Sequence, residues 1–312
     1  CSCYVVNFSI NNCNMKKKYH IFTDIDLDGI VSYMTCCWSL GEWCSYTACR
    51  VNDIDTKINQ WLDKNNPADY EAIYILDLDV SSHDVLRLID LSNVHIYDHH
   101  STHVENLDKY KHANVNVCEF TSTCRLFYAN NKQSLSNITP QQGLLILMAD
   151  DYDSYKFKIP NSYQINVLLW SLTGARFDKF IEMFKDGFSG FNTQQNNIIK
   201  MYTNKLDRVK SGLDIYNTTI PINGSNYNIC STFACECIND VADHVLSSTN
   251  CDVALVVNTK SNKVSFRRGK ECLLDLGKFS KSICDEAGGH AYAAGGMICE
   301  KFLNFAKIFK PI

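Results

Sequence analysis

Aspartates and histidines stand where three apolar runs end. These are Asp24-Ile25-Asp26-Leu27-Asp28-Gly29 after Tyr19 to Phe22, Asp77 after Ile73 to Leu76, and Asp98-His99-His100 after Val94 to Tyr97. Carboxylate oxygens and imidazole nitrogens together suit manganese, iron or zinc better than calcium. At the carboxyl ends of successive strands they would converge on one crevice, the place where open α/β sheets bind ligands. The chemistry expected there is metal-assisted hydrolysis of a phosphoester.

Each group has a plainer reading beside it. Asp-x-Asp-x-Asp-Gly also opens a calcium loop, but the twelfth position of that loop must be Glu and here is Thr35, and a strand pattern precedes Asp24 where a helix is required. Asp77, with Asp79, Ser81 and Ser82 close behind, could simply cap the next helix. A fourth acidic group, Asp150-Asp151-Tyr152-Asp153, ends a helical stretch. Negative charge is unfavourable at a helix carboxyl end, which a nearby cation would explain.

The elements that must position these residues read as alternating strands and helices, the pattern of a parallel sheet. Strands are expected near 19–23, 45–50, 72–76 and 94–97, and helices near 29–41, 54–64, 82–91, 121–131 and 139–150. Thr139-Pro140-Gln141-Gln142 is a helix start, with a Thr cap and Pro in the first turn. A helical period from 163 to 186 is broken by Gly187-Phe188-Ser189-Gly190, and the polar stretch Asn192 to Ser211 reads as a solvated connecting helix. Strands near 227–233, 252–258 and 263–267, with helices near 236–248 and 273–286, make a second, smaller α/β domain.

Composition narrows the partners. The chain has 312 residues, 46% of them hydrophobic, enough for two compact domains. A net charge of −4 argues against a broad basic surface gripping long nucleic acid. No apolar run reaches the roughly 18 residues of a membrane helix, and no signal-peptide pattern opens the chain, so a cytoplasmic location is expected. Sixteen cysteines in a chain this long read mostly as reduced, buried small hydrophobes, and Cys1-x-Cys3, Cys36-Cys37 and Cys235-x-Cys237 lack paired zinc-ligand spacing. Residues 1–14, ahead of Met15, read as an ill-ordered extension.

In order and spacing, the Asp24 to Gly29 group, Asp77, Asp98-His99-His100 and the Asp150-Asp151 group resemble the four motifs of the DHH phosphoesterases. Ser265-Phe266-Arg267-Arg268, then Gly288-Gly289-His290-Ala291 and Ala293-Ala294-Gly295, resemble the DHH-associated C-terminal domain of nanoRNases, cyclic-dinucleotide phosphodiesterases and RecJ-type exonucleases. The first motif is similar to the RecJ-type form, whereas nanoRNases usually carry His at the position of Asp24. Ala287 stands where that domain usually has a further glycine. The fourth-motif aspartate falls on Asp151, with Asp150 as its rival.

The resemblance implies an α/β fold: a parallel-sheet DHH catalytic domain over 15–190, a connecting helix or linker over 191–214, and a smaller α/β substrate-binding domain over 215–312. It implies two Mn2+ ions, with Mg2+ or Co2+ as substitutes, held by Asp24, Asp26, Asp28, Asp77, Asp98, His99 and Asp151, with Asp77 as the bridge. Asp98, His99 and His100 would be catalytic, His100 contacting the phosphate or protonating the departing oxygen. Arg267, Arg268, Gly288, Gly289 and His290 would bind substrate phosphate.

The activity implied is hydrolysis of short oligonucleotides, linear dinucleotides or cyclic dinucleotides to mononucleotides. A RecJ-type single-strand exonuclease and a non-catalytic nucleic-acid-binding homologue are the alternatives. The partner expected is a short oligonucleotide or dinucleotide, with no membrane and no long duplex DNA, and a homodimer is allowed. A pyrophosphatase would carry a different C-terminal domain, without Gly288-Gly289-His290.

Overall fold

The computed structural model describes residues 18–222, 224–289 and 291–311, so the expected extension over residues 1–14 lies outside the described residues. The chain divides into two compact units, one up to Phe191 and one from Asn192.

The first unit runs β1 (Tyr19–Asp24), α1 (Leu27–Leu40), β2 (Ser45–Cys49), α2 (Ile54–Leu62), β3 (Ala72–Leu76), α3 (Leu86–Ile89), β4 (Val94–Asp98), α4 (Ser101–Val104), β5 (Asn114–Val117), α5 (Thr123–Asn130), α6 (Pro140–Asp153), α7 (Ser162–Ser171) and α8 (Arg176–Phe184). Its five strands are all parallel, in the order β2-β1-β3-β4-β5. Sequence order reverses between β1 and β3, which opens a crevice at the carboxyl ends of those strands. The four inner residues of β1 are all buried, so the strand is covered on both faces, as a parallel sheet between two layers demands. On one face Phe22, Ile73, Ile75 and Ile96 pack with Ile54, Ile58 and Trp61 of α2.

α1 is buried from Leu27 to Cys37, and it packs against α5 and α6. Asp26 caps its start by accepting from the Gly29 amide, and Gly41, at φ 71°, ends it. Gly29 is required by proximity: a Cβ there would lie 2.7 Å from the Asp24 carbonyl carbon and 2.9 Å from its Cα. α6 begins with the capping box expected from Thr139 and Gln142.

The second unit runs α9 (Thr193–Ser211), β6 (Ile215–Ile222), β7 (Ser225–Phe233), α10 (Ile238–Thr249), β8 (Val253–Asn258), β9 (Lys263–Arg268), α11 (Leu276–Ile283), β10 (Asp285–Gly289), β11 (Ala293–Met297), α12 (Glu300–Ala306) and β12 (Lys310–Pro311). Its mixed sheet has the order β10-β11-β9-β8-β7-β6-β12, and only β7 and β8 pair in parallel. α10 packs Val241, Ala242 and Val245 on Cys230, Ala254 and Val256. Leu276 and Phe279 of α11 and Phe302 of α12 join the separate cluster around Leu255 and Phe266.

Three expectations are corrected. The helix near 82–91 shrinks to α3, because Val80 to His83 close a turn (His83 N to Val80 O, 3.1 Å) before it. The helical stretch over 163–186 splits into α7 and α8 around Gly174, whose φ is 73°. The helix near 273–286 stops at Ile283, and Asp285 onward becomes β10, paired with β11. α9 clusters with the second unit, where Tyr202 hydrogen-bonds Asp240 and Lys205 lies 2.9 Å from Glu236. Among the described residues no helix is long and apolar enough to cross a membrane.

Candidate metal centre

β1, β3 and β4 deliver Asp24, Asp77 and Asp98-His99-His100 to one edge of the parallel sheet, beside the first turn of α1 and the last turn of α6. Asp28 is buried, and its carboxylate accepts from the amides of Thr123 (2.7 Å) and Cys124 (2.9 Å) at the start of α5. Those amides lack helical partners and favour an anion. Asp77 adopts φ 60°, a left-handed conformation that Asp tolerates better than most residues. Its carboxylate accepts from Thr123 Oγ1 at 3.2 Å.

His99 stands at the centre. Its Nε2 lies 3.3 Å from Asp77 Oδ1 and 3.9 Å from Asp28 Oδ2, while its Nδ1 lies 3.6 Å from Asp153 Oδ2. Two donor sets follow, Asp77-His99-His100 and Asp28-His99-Asp153, each with its ligand atoms within 4.8 Å of one another. They share His99.

Asp98 belongs to neither set among the described residues. Its Oδ1 is 2.7 Å from His100 Nδ1 and its Oδ2 is 2.7 Å from His103 Nδ1, so both oxygens are engaged. By its hold on Nδ1 Asp98 fixes the His100 ring within the first donor set. His103, buried and 2.5 Å from the Tyr110 hydroxyl through Nε2, was missed from the sequence, although a His three residues after His100 was a readable signal.

The aspartates of the fourth motif point to different partners. The Asp151 carboxylate accepts from Lys158 N (2.9 Å), Ile159 N (3.0 Å) and Ser162 Oγ (2.6 Å), and Asp150 accepts from Ser122 N at 3.0 Å with Lys156 Nζ at 3.3 Å. Asp153 is the residue brought to His99. Residues two apart on a helix are separated by about 200° around the axis, so Asp151 and Asp153 of α6 cannot face the same way. Asp79 is likewise apart, held by Ser81 N at 2.9 Å and Thr102 Oγ1 at 2.5 Å.

Asp24 and Asp26 complete neither set but load the cluster with negative charge. Burial, then Asp26, pushes Asp24 up to about 7. Burial, then the charges of Asp28 and Asp26, holds the Asp77 carboxyl well above the usual carboxylate range. Burial outweighs the His99 charge and pushes Asp153 up to about 7. Burial alone would lower His100, but the Asp98 carboxylate overrides it and pushes the imidazole up to about 9. Carboxylates crowded until they hold protons at neutral pH are what cation ligands look like without their cation. The donor chemistry fits a borderline divalent ion.

In the second unit, Arg267 and Arg268 end β9, and Gly288 and Gly289 lie on β10; both strands pair with β11. Arg268 Nη1 donates to Leu274 O at 2.9 Å, so part of that guanidinium serves the fold. A Cβ on Gly288 would meet nothing, whereas one on Gly289, at φ 132°, would lie 2.5 Å from the Ala293 carbonyl oxygen. His290 lies outside the described residues.

A five-stranded parallel sheet with Asp and His at its carboxyl edge, followed by a mixed-sheet unit, is the architecture of DHH-domain proteins, and this chain has that fold. The DHH domain of a member of a ribosomal protein family matches with a TM-score of 0.65 and 12% identity, over 93% of this chain and 86% of that one. The pGpG-specific phosphodiesterase PggH of Vibrio cholerae matches with a TM-score of 0.58 and 12% identity, over 93% and 96%. RecJ of Thermus thermophilus, in complex with Mn2+, matches with a TM-score of 0.57 and 14% identity, over 94% of this chain and 51% of RecJ. No family model and no curated protein matches the sequence.

Proposed function

We propose that this chain is a divalent-metal-dependent phosphodiesterase that hydrolyses short oligonucleotides, linear dinucleotides or cyclic dinucleotides to mononucleotides. The observation that carries the reading is the pair of donor sets sharing His99 at the carboxyl edge of the parallel sheet. The fold shared with a pGpG phosphodiesterase and with RecJ bound to Mn2+ supports it, and Mn2+ is the ion we propose.

Asp77 with His99 would hold one ion and Asp28 with Asp153 a second, His99 lending its one lone pair to a single ion and His100 standing beside the first. Bound there, divalent ions supply positive charge that polarises a phosphate and acidifies water. The amides of Thr123 and Cys124 hold the Asp28 carboxylate in place, and Thr123 Oγ1 does the same for Asp77. Asp98 holds His100 by Nδ1, so its Nε2 can contact a phosphate oxygen or give a proton to the departing one. Within the second unit, Arg267 and the open backbone at Gly288 would offer donors to a phosphate.

The test is incubation of the protein and Mn2+ with labelled two-, three-, five- and twenty-nucleotide strands and with cyclic dinucleotides. Rates should be highest on the shortest substrates. No hydrolysis of any of them with Mn2+, Mg2+ or Co2+ would overturn the reading. A rate that persists on the twenty-nucleotide strand would instead identify a RecJ-type exonuclease.

A further inference from the structure

Two loops at the rim of the metal centre carry exposed aromatic side chains. Phe120 is 90% exposed in the turn between β5 and α5. That turn is pinned on both sides by the centre: Cys118 N donates to Asp98 O at 3.1 Å, and Thr123 donates to Asp28 and Asp77. Three residues span at most about 10 Å, so the Phe120 backbone lies within that reach of Thr123, which binds those carboxylates.

The second loop follows Asp153. Tyr155 and Phe157 have φ of 55° and 48°, in the left-handed region that aromatic residues rarely adopt. Their ring centroids are 5.0 Å apart, and Phe157 is 43% exposed. The amides of Lys156 and Phe157 donate to Asp151 O at 3.0 and 3.5 Å, which holds the loop in this shape. Strain of this kind at a site's edge, spent on presenting half-exposed rings, points to use.

Asp150 joins the two loops. It accepts from Thr121 Oγ1 (3.3 Å) and Ser122 N (3.0 Å) on one side, and pairs with Lys156 Nζ (3.3 Å) on the other. Phe120 therefore adjoins one end of this clip, and Tyr155 and Phe157 flank its other end. An isolated exposed Phe would need no explanation. Two loops joined through Asp150 beside a phosphodiester site each offer an aromatic face, and the flat group flanking such a phosphate is a nucleobase.

We propose that Phe120, with the Tyr155–Phe157 loop, stacks a nucleobase of the substrate and so selects nucleotides over other phosphodiesters without reading base identity. The inference rests on the phosphodiesterase reading and deepens it. Removing one stacking ring costs about tenfold in affinity, and because the contact is present in ground and transition states alike it falls on KM.

The experiment is steady-state hydrolysis of a dinucleotide by the wild-type protein, Phe120→Ala and Phe157→Asn, with Mn2+ retention and melting temperature confirming the fold. Each variant should raise KM about tenfold, and Phe120→Trp should restore it. The same measurement on dinucleotides carrying an abasic sugar at one end or the other should erase the Phe120→Ala penalty for one of them. Normal KM in both variants, or a penalty that persists on both abasic substrates, overturns the stacking inference while leaving the phosphodiesterase reading intact. A wild-type protein that hydrolyses no substrate removes both.

Discussion

Gly29→Ala tests whether the junction of β1 and α1 sets the geometry of the metal centre. The new Cβ would sit 2.7 Å from the Asp24 carbonyl carbon and 2.9 Å from its Cα, with the carbonyl oxygen closer still. All three obstacles are backbone, so α1 and the end of β1 must part by roughly an ångström, at the upper end of the ~1–3 kcal/mol that overpacking costs. Ala gains about 1 kcal/mol of helix propensity over Gly, which leaves a net loss of about 2 kcal/mol. For a unit of this size that is a fall of about 4–8 °C in melting temperature. The same parting carries Asp26 and Asp28 away from His99, and an ångström of misplacement is enough to cost on the order of a hundredfold in rate. Gly143→Ala is the control: it lies within α6, a Cβ there meets nothing, and Ala should stabilise by about 1 kcal/mol. Thermal melting and Mn2+-dependent hydrolysis are measured on both. A Gly29→Ala protein that melts as high as wild type and keeps its rate would refute the reasoning.

Three other outcomes are expected. Asp24 and Asp153 hold protons up to about 7 and His100 up to about 9, all above their unfolded values, so the metal-free fold binds more protons than the unfolded chain and loses stability as pH rises above about 6.5. His20, lowered to about 4, acts oppositely only below that pH, and Cys230, whose thiol the Cys251 hydrogen bond lowers to about 7, offsets part of the decline between about pH 7 and 9. A melting temperature that rises from pH 6.5 to 9 without metal would contradict this; saturating Mn2+ should abolish the decline. Asp153→Asn should weaken Mn2+ binding, measured calorimetrically, while Asp151→Asn should cost about 2 kcal/mol of stability and leave Mn2+ affinity intact; the reverse pattern would return the ligand role to Asp151. Tyr110→Phe removes the donor to His103 Nε2 and should cost about 1–3 kcal/mol in chemical denaturation, and an unchanged midpoint would show that the hydrogen bond contributes nothing.

β1, β3 and β4 were legible because strands buried on both faces leave continuous apolar runs, and the acids that end them were therefore placed correctly in sequence. Direction was not legible. Nothing in Asp98-His99-His100 says that the aspartate turns inward to two histidines, since one of them, His103, comes from the helix that follows. Asp151 and Asp153 differ only by rotation about α6, and the turn that captures Asp151 is built from residues 158–162. β10 and β11, Asp-Glu-Ala-Gly-Gly and Ala-Ala-Gly-Gly-Met, carry little β propensity of their own. They become strands because β9 offers an edge and because glycine lets α11 approach, a Cβ on Gly277 lying 2.7 Å from Gly289 O.

The amides that grip Asp28 come from residues 95 and 96 positions further along the chain. Until α5 docks on α1 the Asp28 carboxylate has no fixed aim, so a cation finds no pocket in an early collapsed chain. Ions bound as proposed would act as a latch on the finished fold: a chelator should then hasten unfolding many times over while the rate of refolding from denaturant stays the same.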